Sequence, residues 1–257
     1  MEVPVFFKNN NVFSSVSGYK WDKQISTYIS VESKYENEKL EKAFDLLSHK
    51  AKIGLAAAIS EWIYWCLHSE SKNKSIYYAI ESLWVSIIDK NYIVNDVNFI
   101  EEEIEPQDRV EGPIWRVLFC LTILKRHYLK GAYPMGVDLI TLTILARHIT
   151  NNNECFDKWI ANCLLRLSQD FPARYNRVEI KKENLKEYKK GVYDSFDELV
   201  IPRDFFFEES FVYDSESVVS LINIFLKEVS YQSNPYLNSP DIMLVGGFKG
   251  TPYKYGS

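Results

Sequence analysis

From Asp22 onward the chain is written largely in a helical period. Glu36–His68 contains no proline and one glycine, Gly54. Its apolar residues fall at Leu40, Phe44, Leu47, Ile53, Ala56, Ala57, Ile59, Trp62, Ile63, Cys66 and Leu67. These intervals follow the 3.6-residue turn, and the run from Ala51 to His68 is apolar nearly all round, which predicts a helix at the centre of the fold. Gly54, with Ala56–Ala58, leaves room for a neighbouring helix to come close.

The same spacing recurs in Ser75–Asn91, with Ile76, Ala79, Ile80, Leu83, Trp84, Ile87 and Ile88. After an acidic connector, Val94–Glu111, Pro113 suits the first turn of a further helix carrying Trp115, Val117, Leu118, Leu121 and Leu124. Val137–Thr150 and Glu154 to Gln169 give two more, joined by the polar turn Asn151–Asn153, and such short connections imply antiparallel neighbours. The first 20 residues read as irregular.

Beyond Phe171–Pro172 the texture changes to a basic stretch, Arg174–Lys190, then a mixed aromatic and acidic one, Val192–Tyr213. Asp214 or Ser215 caps a last helix over Glu216–Ser230, and the tail from Gln232 to Ser257 reads as loop. The pattern therefore predicts a mainly α protein, an irregular bundle of about seven or eight helices with a loop-rich C-terminal tail. The whole of 1–257 reads as one α-helical domain, with a sub-boundary allowed near 171.

Composition agrees. With 46% hydrophobic and 25% charged residues, wholesale disorder is excluded. The 17 Tyr, 15 Phe and 6 Trp are enough to build a core without disulfides or metal. Cys66, Cys120 and Cys163 lie in apolar runs, and none of the four cysteines forms a CxxC pair, the usage of a reducing compartment. MEVPVFFKNNN has neither the basic start nor the apolar length of a signal peptide, and Glu61 and Arg116 break the two longest apolar stretches below a membrane span. A cytoplasmic protein without membrane contact is expected.

Candidate chemistry is sparse. His49, His68, His127 and His148 are isolated, with no ligand spacing, and the Glu101–Glu105 run lacks the ladder of a calcium loop, so neither metal nor another cofactor is expected. There is no GxSxG, and neither phosphate-loop motif occurs; the GGFKG of the tail follows no strand and opens no helix. Asp170 with Glu179 and Lys181 imitates a metal-dependent nuclease signature, but acid-x-Lys recurs at Glu32, Glu70 and Glu187. Trp62, Trp65 and Trp84 read as core or as the lining of an adaptor's groove.

Charge distribution is more informative. The net charge is −5, the wrong sign for general nucleic-acid binding. Tyr92–Glu111 holds seven acids (Asp96, Glu101, Glu102, Glu103, Glu105, Asp108 and Glu111) against Arg109. Val192–Glu216 holds eight, among them Asp204, Glu208 and Glu209, against Arg203. Such blocks are either solvated connectors or surfaces that await a cationic partner, whose approach relieves their mutual repulsion. Phe205–Phe207, Phe211 and Tyr213 are candidate anchors beside the second block, or core.

Two stretches, AKIGLAAAISEWIYW at Ala51–Trp65 and NPYLNSPDIMLVGGFKGTPY at Asn234–Tyr253, resemble helical immunity proteins encoded beside bacterial polymorphic or type VI secretion toxins. The resemblance covers about 35 residues and contains no catalytic motif. It implies a stoichiometric inhibitor, not an enzyme, that neutralises a cognate toxin by direct binding; such proteins are often acidic because many partner toxins are cationic nucleases. Contact is then expected at Glu101, Glu102, Glu103, Glu105, Asp108 and Glu111, and next at Asp204, Glu208 and Glu209. The alternatives are a helical scaffold or adaptor, and a metal-dependent nuclease.

Overall fold

The structure is a computed structural model that describes residues 1–10, 12, 18–35, 37–100, 103–132, 135–150, 152–174 and 193–256. Among these residues the fold is mainly α, with eleven helices, eight of them of seven residues or more, and no strands. Leu47 opposite Pro172 and Ile93 opposite Leu237 form isolated antiparallel bridges.

Helix α1 (Val5–Asn9) precedes α2 (Lys23–Tyr35) and α3 (Glu38–Asp45), and α4 (His49–Leu67) follows. The helical period of Glu36–His68 marks no boundary at the α3–α4 junction. Two features interrupt it. The Ser48 hydroxyl accepts from the Ala51 amide at 3.2 Å and caps α4, and the Ser48 amide donates to the Phe171 carbonyl at 3.0 Å. The break is thus imposed partly by a segment more than a hundred residues away in sequence, which the local pattern does not contain.

The expectation for α4 itself is met: every residue from Ala51 to Ile63 is buried. It packs against α5 (Ser75–Ser86), α6 (Glu111–Leu129) and α7 (Gly136–Ile149), with α2 and α3 laid over α7 and α8 (Asn153–Asp170) closing the other side. The helix expected over Ser75–Asn91 ends at Ser86; a 3₁₀ turn at Lys90–Tyr92 follows, braced by the Asp89 carboxylate, which accepts from the Asn91 amide.

After α8 come the short α9 (Asp204–Phe207), then α10 (Ser215–Glu228), capped by Asp214, and α11 (Pro240–Val245). The tail is therefore less loop-like than its composition implied. Ser239 caps α11, Pro240 sits in its first turn, and Met243 is buried. α1 was likewise missed, being one turn long; Phe7 anchors it at full burial, with its ring 5.2 Å from that of Trp62.

The main apolar cluster joins both sides of residue 171: Phe171, Ile201, Phe205–Phe207 and Tyr236 belong to it with Phe7, Trp62 and Leu121. A smaller cluster gathers α10, Tyr92, Ile93 and the tail around Leu237 and Met243. All four cysteines are free thiols. Among the described residues no helix is long and apolar enough to cross a membrane.

Candidate functional site

The first acidic block wraps the start of α6. Asp108 is consumed locally: its Oδ1 accepts from the amides of Val110 at 2.7 Å and Glu111 at 2.9 Å, bonds that hold the carboxyl below the ordinary aspartate range. Glu111 accepts from the Ser71 hydroxyl at 2.9 Å and the Asn73 amide at 3.3 Å, tying α6 to the loop before α5. Arg109, the one base of the block, pairs with Glu70 at 2.5 Å.

Glu105 is ion-paired to Arg116, and the Ser26 hydroxyl donates to the same carboxylate at 2.6 Å, so the block is fastened across to α2. The two charged side chains are only 13% and 15% exposed. Oε1 of Glu105 and Nε of Arg116 nevertheless have no hydrogen-bond partner among the described residues. Glu103 is exposed. Glu101 and Glu102 lie outside the described residues.

Beside this ion pair a cleft of about 760 Å³ opens between α2 and the 104–107 segment. Ile104, 82% exposed, and Val31, 47% exposed, line it together with Glu105, Arg116 and the hydroxyls of Ser26 and Ser30. The charges of this loop stand out in the sequence, and Ile104 does not. Its signal was there: an isolated branched residue between Glu103 and Glu105, with no helical partner to bury it.

The second block lies elsewhere. Asp204 starts α9 and is partly buried, and Glu208 and Glu209 are exposed just after it. Partial burial and the neighbouring Asp204 both push the Glu208 carboxyl above the ordinary range. Phe205–Phe207 are core and not surface anchors: Phe205 meets Phe171, Phe206 meets Trp84, and Phe207 stacks on Trp159. Arg166 holds the segment by donating to the carbonyls of Phe205, Glu208 and Phe211.

The groove envisaged for an adaptor is absent at the expected place. Trp62 and Trp65 on α4 and Trp84 on α5 are 0%, 7% and 2% exposed, packed in the core where the two helices meet. For the nuclease reading, Asp170 is exposed at the end of α8, while Glu179 and Lys181 lie outside the described residues. No group of three His, Cys, Asp or Glu side chains converges as metal ligands among the described residues. Comparison with protein-family models, with curated proteins and with solved structures gave no match.

Proposed function

We propose that the chain is a non-catalytic binding protein that neutralises a cationic protein toxin by stoichiometric association at the cleft beside Ile104. The observation that carries this reading is the pairing of an apolar anchor with an acidic surround. Ile104 projects into solvent between Glu103 and Glu105, and beneath it a carboxylate and a guanidinium retain unpaired hydrogen-bonding atoms. A desolvated apolar centre with charged groups around it is how interfaces combine affinity with electrostatic steering. The resemblance of Ala51–Trp65 and Asn234–Tyr253 to immunity proteins supports the same class. Glu208 and Glu209, with Asp204 raising the local negative potential, form a second contact zone.

The test is association with the product of any toxin-like gene that neighbours this one, followed kinetically across salt concentrations. The expected result is a one-to-one complex that abolishes toxin activity, with Glu103→Lys slowing association about tenfold and flattening its dependence on salt. Ile104→Ser should speed dissociation without altering the thermal midpoint, because the side chain is exposed. Rates that ignore both salt and Glu103→Lys would reject the assignment, as would divalent-dependent hydrolysis of nucleic acid by the chain alone.

A further inference from the structure

The last two turns of α6 face a second cleft, of about 500 Å³, whose opposite wall is the 90–98 segment. Its charge is the reverse of the first. Lys90, Lys125, Arg126 and Lys130 line it against a single acid, Asp96. None of the four cations is in an ion pair among the described residues.

Lys125 is the informative member. It is 3% exposed, yet its ammonium meets no carboxylate; it donates to the Val94 carbonyl at 3.2 Å and to that of Val97, and lies 4.9 Å from the centre of the Phe99 ring. Two carbonyl dipoles use two of its three N–H groups. Burial, reinforced by Arg126, pulls its pKa down to about 8, against an opposing pull from Asp96. Lys90, on the opposite wall, rests over the Tyr128 ring at 4.6 Å.

A purely structural account does not cover this arrangement. Arg126 and Lys130 suit the negative end of the α6 dipole. The final carbonyls of α6 are already capped, however: those of Arg126, Tyr128 and His127 accept from the amides of Lys130, Gly131 and Ala132. The dipole does not account for Lys125, buried a turn earlier, while Lys90, on a different element, is drawn by the Asp194, Glu198 and Asp89 carboxylates. A buried ammonium without an anion in contact is costly, and among the described residues Lys125 has only the pull of Asp96, with no carboxylate paired to it.

We infer that this cleft binds a small phosphate-bearing anion. The volume falls in the range of small-molecule sites. Cations on two facing walls match a group with several charged oxygens, whereas a single carboxylate would satisfy only one wall. The acidic cleft beside Ile104 plays no part in this site, so the two readings stand or fall separately.

The full chain is titrated calorimetrically at pH 8 with pyrophosphate and, separately, with ADP, against sodium chloride of equal ionic strength. Saturable one-to-one binding of either phosphate probe is expected, with a heat that depends on the buffer's ionisation enthalpy because the bound anion restores the proton to Lys125. Arg126→Gln with Lys130→Gln changes two exposed residues and removes their charge without setting acids at the negative end of the α6 dipole, so the thermal midpoint should fall only slightly while affinity falls at least about tenfold. Lys125→Met should abolish the proton uptake. Tighter binding of ADP assigns the phosphate to a nucleotide, and equal binding to the phosphate group alone. Failure of both probes at millimolar concentration, or equal binding by the double glutamine variant, overturns the site.

Discussion

Glu61 and Arg203, 142 residues apart in sequence, meet in a two-pronged ion pair inside the core, with the guanidinium Nε 3.1 and 2.9 Å from the two carboxylate oxygens. Glu61 is fully buried on α4. The indoles of Trp65 and Trp84 donate to its remaining lone pairs at 3.0 and 3.1 Å, and Arg203 also donates to the Glu2 carbonyl at 2.6 Å. The pair thus joins the segment before α1, α4, α5 and the segment before α9 at a single point.

Removing one partner leaves a desolvated charge behind, which costs about 3–5 kcal/mol, while replacing both by apolar groups of similar volume is close to neutral. Arg203→Met and Glu61→Leu should each lower the urea midpoint sharply, and the double variant should lie nearer the wild type than either single one. Losses that simply add would show that the two groups are not coupled. The indole donors limit the recovery, since both would lose their acceptor in the double variant.

Gly54 sets two effects of opposite sign against each other. Alanine in place of glycine within a helix gains about 1 kcal/mol from propensity alone. Here a Cβ would lie 2.8 Å from Cζ and 3.2 Å from Cε2 of Phe206. That ring is 2% exposed and held between Trp84, at 5.3 Å, and Phe205, at 5.4 Å, so it has little room to yield. Overpacking of this kind costs about 1–3 kcal/mol and should win. Gly54→Ala is expected to lower the thermal midpoint, and Phe206→Leu in the same chain to recover part of the loss; a raised midpoint for the single variant would show that the ring swings aside.

Close approach at Gly54 was legible in the sequence, but its tightest occupant was not: the small residue admits Phe206 of a four-residue helix, with Ile87 at the end of α5 farther off. The long helices were legible for a related reason. Periodicity reports burial on a continuous face, and α4, α6 and α7 are each buried along most of their length. Features decided by partners distant in sequence were hidden, among them the break at Ser48 and the Tyr236 and Leu237 contacts of the tail. At the candidate site the count of acids was readable, but how many had internal work was only half so. Asp108, three residues ahead of Glu111 at a helix start, carried a bracing signature. The Glu105–Arg116–Ser26 arrangement depends on α2 lying alongside, which no local pattern announces.

Asp138, in the first turn of α7, is a carboxyl that its surroundings keep neutral over an unusually wide range. Burial raises its pKa from the ordinary 3.8 to about 7, outweighing the bond from its own amide; Cys120 and the Glu41 side chain beside Gly136 bring no compensating positive charge. Because the folded value lies above the unfolded one, the stability linked to this group is fully present below pH 3.8 and is lost as the pH climbs through about 7. His49 acts in the opposite sense. Burial, with Lys52 and Lys90 nearby, lowers it from 6.5 to about 3, so its contribution is present above 6.5 and declines as the pH drops toward 3. The two slopes partly cancel in mildly acidic solution, and Asp138 dominates only near neutrality. Asp138→Asn isolates it, since the amide approximates the neutral acid at every pH. The variant should already exceed the wild type at pH 5, above the unfolded value of 3.8, and the gap should widen by about 1–3 kcal/mol between pH 5 and pH 8, once solvent screening is allowed for. Paired thermal melts across that interval measure the difference, and a gap that stays constant with pH would mean the native carboxyl ionises as freely as in the unfolded chain.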